Sequence, residues 1–347
     1  MSLKRNIFIF ITLSIIATLA LLLFTITPKT VRALSEVRLG FLFSALGLWF
    51  IYLGWDALRF KIIFSTLGER LPLQKSAQII LIGSFMAAIT PFGSGGLPVQ
   101  LYLLEREGIR PANGGAALLI RGLLVFILLL ISLPIVMVVE AKTLGAGVIS
   151  LLFRYLLIIY GILLSLLFLL IFKPRVIENI GGGLVGFLQR KRLFGISQNP
   201  NLKDRVEEEI IRFRNQLVDF FKGHPRKVFY VLFLTFLSSS TFLLIIPTLL
   251  YGLGLNPPIL KSILLQIALT FLLSFPLTPG ASGIAEAGGA AVYSTVCPLP
   301  LLGIYTILWR FFSTYLGAGI GGVVLLKILG IRGLKTVSES TSYTKRG

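Results

Sequence analysis

Six apolar runs constrain this chain before any motif does: Ile7 to Ile26, Leu39 to Leu58, Leu123 to Val139, Gly145 to Phe172, Val228 to Leu250 and Leu301 to Leu326. Each comes near or above the ~20 apolar residues that cross a bilayer core of roughly 30 Å. Backbone amides and carbonyls in lipid must be satisfied within their own segment, so spans of this kind are helices. A hydrophobic share of 55% against 14% charged residues, with mean hydropathy +0.90, is not the balance of a soluble domain. The N-terminal "MSLKRNIFIFITLSIIATLALLLF" begins like a signal peptide. Its apolar run exceeds the usual ~7 to 15 residues and no A-x-A site follows, so the sequence predicts a retained first span.

The net charge of +19 would suggest nucleic acid in a soluble protein, but its placement points to a membrane surface. With the N-terminus inside, twenty-five of the 33 Lys and Arg residues fall on the cytoplasmic side and five outside (Lys29, Arg32, Arg38, Lys142, Lys261). Three lie within spans: Arg121, Arg154 and Arg310. The positive-inside rule favours this arrangement over its inverse. The expectation is a multi-pass protein of the cell membrane with both termini in the cytoplasm and no nucleic-acid partner.

The chain divides into an N-terminal membrane half (1–172), a polar loop (173–227), a C-terminal membrane half (228–330) and a polar tail (331–347). Within the loop, Leu202, Val206, Ile210, Phe213, Leu217 and Phe220 recur at steps of three and four, one face of an amphipathic helix. That face suits either the inner leaflet or the cytoplasmic end of the bundle. The single cysteine, Cys297, excludes an intramolecular disulfide and a multi-cysteine metal site. The lone His224, in "KGHPRK", reads as a solvated loop residue, so a Ser/His/Asp triad lacks its parts. Neither cofactor nor metal is expected.

The most telling feature is a repeat. "ITPFGSGG" (Ile89 to Gly96) returns 188 positions later as "LTPGASGI" (Leu277 to Ile284), both reading T-P-x-x-S-G. Gln78 and Gln266 each lie twelve residues before the motif threonine, Thr90 or Thr278. Arg121 follows Pro91 by thirty residues, and Arg310 follows Pro279 by thirty-one. Under the charge-derived topology the first break is approached from the cytoplasm and the second from outside. The sequence therefore predicts an all-α polytopic protein of about six full spans plus two re-entrant helical hairpins in an inverted repeat. Transporters built this way place their sites near the midplane, where broken helices meet.

Pro91 and Pro279 interrupt the preceding turn, while Gly95, Gly96, Gly280 and Gly283 let the chain reverse and leave amides uncovered. Such amides, with the hydroxyls of Ser94 and Ser282, suit an anion. Arg121 and Arg310 each need a counter-charge or a cavity, since an arginine near the centre of a span costs at least ~2.5 to 3.5 kcal/mol. Glu286 is the most obvious intramembrane acid, as a coupling site or as the structural partner of an arginine. Two arginines with two amide cradles suit a phosphate head group.

Plainer readings stand beside these. T-P-x-x-S-G alone is weak, and glycine and proline are common in membrane helices. Arg154 has no counterpart in the other half, and Asp56 and Arg59, three apart, most simply pair with each other. "SSST" (Ser238 to Thr241) bonds by default within its own helix. Gly317, Gly319 and Gly322 spell G-x-G-x-x-G, but no strand precedes them, and helix packing is the expected explanation.

"GSFMAAITPFGSGGLPVQLYLLEREGI", the arginine of "LLIRGLL" and "PLTPGASGIAEAGGAAVYS" together resemble the lysylphosphatidylglycerol synthase transmembrane-region family of flippase-like membrane proteins, over roughly residues 5 to 330. The resemblance implies translocation of aminoacylated phosphatidylglycerol, or another lipid with an anionic or zwitterionic phosphate head group, between leaflets. The family's marked residues fall on Thr90, Pro91, Gly95, Gly96, Pro98, Gln100, Arg121, Pro279, Gly280, Ser282, Gly283, Glu286 and Arg310. Leu97 departs from relatives that carry an acid or amide there. Some relatives also carry a soluble aminoacyl transferase domain, which has no counterpart before Gly347. The implied role is transport rather than catalysis, with a lipid-modifying enzyme as a possible partner. A small-anion transporter or channel, a membrane enzyme acting on a lipid phosphate, and a scaffold remain as rivals.

Overall fold

The computed structural model describes residues 3–25, 37–140, 200–274 and 278–328, with Thr27, Pro28, Thr30 and four positions between Ile158 and Ser165. Among these residues there is helix and no strand. In chain order the elements are α1 (Leu3–Thr25), α2 (Leu39–Thr66), α3 (Leu73–Ile89), α4 (Gly96–Arg106), α5 (Pro111–Glu140), α6 (Pro200–Val218) and α7 (Pro225–Gly252). Then follow α8 (Ile259–Leu272), α9 (Ile284–Tyr293) and α10 (Leu299–Ile328). Five of them, α1, α2, α5, α7 and α10, are long and apolar enough over their described lengths to cross a membrane. Apart from those four positions, the expected span from Gly145 to Phe172, and Arg154 with it, lies outside the described residues.

These helices bury what soluble helices expose. On α2 the inward stripe includes Trp49, Asp56, Arg59, Phe60 and Ile63, while Phe43, Phe50 and Ile51 face outward. On α7 the inward face carries Thr235, Ser238 and Thr241, and the outward face Phe229, Phe233 and Phe236. An apolar exterior around polar interior positions is what a lipid solvent selects.

Contacts between distant segments define two ends. At one, Asn113 Nδ2 donates to Glu69 Oε1 at 2.6 Å, Lys75 pairs with Glu107 at 2.6 Å, and the Ala112 amide donates to Glu209 Oε2 at 2.8 Å. At the other, the Arg38 amide donates to Gly252 O at 2.8 Å and Thr30 Oγ1 to Pro300 O at 2.8 Å. The five long helices connect these ends. The amphipathic helix α6 lies across the first end, with Phe213 against Gly115 and Leu217 buried, and Phe220 is buried in the π turn Asp219–Gly223 that follows it. Of its two possible settings, packing on the bundle is the one adopted. The side chains of Leu202 and Val206 lie outside the described residues.

Between the long helices lie two pairs of short ones. Helices α3 and α4 run in opposite directions against each other, with Gly96 on Gly83 and Ala87 and Gln100 across Gly83. Helices α8 and α9 do likewise, with Gly288 and Gly289 on Leu269 and Tyr293 beside Gln266. The first pair opens toward the Glu69 end and the second toward the Gly252 end, so their tips point at one another.

Candidate functional site

At the first tip Thr90 leaves the helix in an extended conformation (φ −116°, ψ 141°), and Pro91–Gly93 form a single 3₁₀ turn. Phe92 and Gly93 both have positive φ, 57° and 65°. A bulky residue held there is strained, by about 1 to 3 kcal/mol. Thr90 Oγ1 donates to Met86 O at 2.7 Å and accepts the Gly95 N–H at 2.9 Å. The amide expected to stand open at Gly95 is therefore satisfied by the motif's own threonine. Gly96 presses against the backbone of Gly83, where a Cβ would come to 3.1 Å from the carbonyl oxygen. Gln100 is buried, and its Nε2 donates to Ile79 O at 3.3 Å. Pro91 is half-buried, whereas Phe92, Ser94, Leu97 and Pro98 are exposed.

At the second tip Thr278 is again extended, and Gly280 (φ 59°) stands where the first tip has Phe92. Thr278 Oγ1 donates to Ser282 O at 2.8 Å, and the Ser282 hydroxyl pairs with that of Ser14 from α1 at 2.9 Å. Gly283 adopts φ 87° at the start of α9, which directs its amide onto Glu286 Oε2 at 2.6 Å. Arg310 Nε donates to Glu286 Oε1 at 2.8 Å, Nη2 to Gly280 O at 2.8 Å and Nη1 to Thr314 Oγ1 at 3.0 Å. Tyr315 stacks its ring 5.1 Å from the Arg310 guanidinium carbon and donates its hydroxyl to Glu286 Oε1 at 3.4 Å. Thr314 and Tyr315 belong to the π turn Phe311–Tyr315 of α10. The anion position at this helix start is thus filled by the chain's own carboxylate. Arg310 has the counter-charge its depth demands.

The two tips touch. The Ala88 carbonyl oxygen lies 3.2 Å from where a Cβ of Gly280 would be, and the ring of Phe10 covers the same glycine. A larger residue at Gly280 would collide with both. The second tip is covered by α1 on one side, whereas the first leaves its apex uncovered.

Arg121 does not join this cluster. It donates Nε to Asp56 Oδ1 at 3.2 Å and Nη2 to Asp56 Oδ2. Arg59, the expected partner of Asp56, also bonds Oδ1 through Nη2. One carboxylate therefore serves two guanidiniums, and the ring of Phe60 lies 5.5 Å from the Arg121 guanidinium carbon. The sequence pairing of Gln78 with Gln266 does not extend to their roles. Gln266 accepts from Trp309 Nε1 at 2.9 Å and from the Tyr293 hydroxyl, while Gln78 lines a shallow hollow with Lys75, Arg106 and Glu107.

Beside the first tip, between α4 and α5, runs a groove of about 480 Å³. Leu97, Leu101, Leu118, Leu119, Leu123 and Phe126 line it, and Gly115 and Gly122 leave its floor open. Its walls are apolar throughout, which suits a hydrocarbon chain.

Comparison with known proteins agrees with the architecture. The sequence model of the lysylphosphatidylglycerol synthase TM region matches residues 9–321. The chain belongs to this family. It is 26% identical over 267 residues to a UPF0104 membrane protein of Archaeoglobus fulgidus, a match that covers 77% of this chain and 80% of the relative. No solved structure matches. Membership of this family, with a bundle of bilayer-length helices, makes this a membrane protein. Sequence reasoning passed over Asp56 as a partner of Arg121, and Ser14, Thr314 and Tyr315 altogether. A search for acids within the apolar helices was the available signal: among the described residues Asp56 and Glu286 are the buried carboxylates, and Arg59, Arg121 and Arg310 each turn to one of them.

Proposed function

We propose that this chain moves a lipid with an anionic or zwitterionic phosphate head group between the leaflets of the cell membrane. On this reading the α3–α4 and α8–α9 pairs are re-entrant hairpins that dip from opposite faces as inverted repeats, with both termini in the cytoplasm. The head group passes where their tips meet, near Thr90, Ser94, Gly95, Ser282 and Gly283, and the acyl chains remain in the bilayer. Arg310 bonds the second tip at Gly280, and Arg121 sits about ten residues into the helix after the first hairpin. The chain carries out no chemistry itself, and a separate enzyme supplies any head-group modification.

The observation that carries this reading over an ion pathway is the apolar groove beside the first tip. A free anion has no use for a wall of leucines, whereas a lipid acyl chain does. Reconstitution into liposomes with fluorescent phosphatidylglycerol tests it, by the fraction of label lost to a reductant added outside. Wild type is expected to expose label from the inner leaflet faster than empty vesicles, and Arg121→Ala and Arg310→Ala to slow it. Exchange no faster than in empty vesicles, across phospholipid and polyprenyl phosphate probes, overturns the proposal.

A further inference from the structure

The two buried carboxylates among the described residues, Asp56 and Glu286, are used in different ways. Glu286 meets one guanidinium, and the pair is neutral. Asp56, 1% exposed, meets two: Arg59, at 3%, and Arg121, at 21%. The cluster carries one positive charge with no carboxylate to meet it among the described residues. Arg59 registers the deficit directly. It gives Nη2 to Asp56, while its buried Nε and Nη1 have no hydrogen-bond partner among the described residues. Unmet donors on a buried charge are costly, so they mark an arrangement awaiting another group.

We infer that this cluster is a binding site for a singly charged oxyanion, in which Arg121 changes partner. Arg121 is the member with an exposed edge, so an arriving phosphodiester meets it first. The guanidinium fork matches two phosphate oxygens as well as two carboxylate oxygens, and the Phe60 ring supports its plane through the exchange. Asp56, released from Arg121, then closes both oxygens on one edge of Arg59, which satisfies one of the two donors now left over. The net charge falls from one to zero, and each carboxylate ends with one guanidinium. The site rests on the lipid-phosphate reading above and names the residues that take up the head-group charge. The shared chemistry is a phosphate oxyanion, whether on a lipid or free.

Binding to the purified full-length chain in neutral detergent tests this, with phosphatidylglycerol, diacylglycerol and inorganic phosphate as probes. Phosphatidylglycerol is expected to bind and diacylglycerol to bind at least about tenfold more weakly, the scale of one charge-assisted hydrogen-bond pair. Arg59→Gln leaves Asp56 and Arg121 as a closed neutral pair, so affinity is expected to fall about tenfold. Adding Asp56→Asn to Arg59→Gln returns the single positive charge and is expected to restore most of the loss. Binding by Arg59→Gln equal to wild type, or no recovery in the double variant, overturns the site. Wild type alone supplies a check that needs no variant: phosphatidylglycerol binding should weaken as salt rises, and indifference to salt counts against the site. Saturable binding of inorganic phosphate without lipid extends the site to free phosphate, binding of phosphatidylglycerol alone restricts it to head groups, and binding of neither overturns it. Leaflet exchange is scored separately. Charge-dependent binding without exchange removes the transport reading and keeps the site, and exchange without charge-dependent binding does the reverse.

Discussion

Glu286 Oε2 accepts the Gly283 amide at 2.6 Å, so the helix that begins at the second tip is closed by a carboxylate three residues along its own chain. The other oxygen of the same side chain neutralises Arg310. One residue therefore both caps a broken helix and balances a buried cation.

Replacing Glu286 with Gln should expose both dependencies. The change leaves Arg310 uncompensated, which in comparable buried pairs costs roughly 3 to 5 kcal/mol. Removing the cation as well, in Glu286→Gln with Arg310→Met, should recover part of that loss, because two neutral residues are cheaper to bury than one stranded charge. Denaturation in detergent reads both, and a double variant less stable than the single would show that the pair does not act as a unit.

A side chain at Gly122 tests the groove without touching a charge. Nothing lies within 4 Å of a Cβ built at Gly122, and the residue lines the groove floor. Gly122→Leu should leave the melting temperature unchanged or slightly higher while slowing lipid exchange several-fold. A variant that exchanges lipid at the wild-type rate would take the groove out of the pathway.

The glycines of α10 are not equivalent. Gly321 faces the Leu81 carbonyl too closely for any Cβ, with Phe85 Cβ at 3.1 Å, whereas nothing lies within 4 Å of one at Gly319. Gly321→Ala should cost about 1 to 3 kcal/mol through overpacking. Gly319→Ala should be neutral or add up to about 1 kcal/mol from helix propensity. Paired melting curves decide it. Within the G-x-G-x-x-G string, packing accounts for Gly317 beside Trp49 and Gly322 beside Phe85, but not for Gly319.

Cys297 should be silent to thiol reagents. Burial pushes its thiol up to about 12. Desolvation disfavours the charged thiolate, so at pH 8 the reactive fraction is on the order of one in ten thousand. Maleimide should label the protein only after denaturation, or above about pH 11. Rapid labelling of the folded chain at pH 8 would contradict the buried setting. If the thiol is silent, cysteines introduced at Lys75 and Ser294 report which end of the bundle faces which side.

The helices and the breaks were legible because each is written in a short window of sequence: apolar length for the spans, and proline with glycine for the tips. Asp56 with Arg59 was legible for the same reason, as neighbours on one helix turn. Arg121 was not, since its carboxylate lies 65 residues away on a helix whose orientation only packing decides. Nor was the fate of the tip amides. Proline and glycine signal that amides are freed, but whether Thr90, Glu286 or a ligand then takes them depends on rotamers and on φ at Gly283, which local patterning does not encode. The repeat was visible as spacing and misleading as function at Gln78, because its counterpart Gln266 draws its role from Trp309, 43 residues further on.

The cover over the second tip imposes an order on biosynthesis. Ser14 and Ser282 are separated by 268 residues, and Phe10 of the same first helix closes over Gly280. At about 5 to 20 residues per second, the ribosome takes roughly tens of seconds to deliver the partners of α1 after α1 itself has emerged. During that interval the first helix waits in the membrane without the partner its Ser14 hydroxyl has in the folded chain, and the second tip is covered only when these early and late segments close on each other.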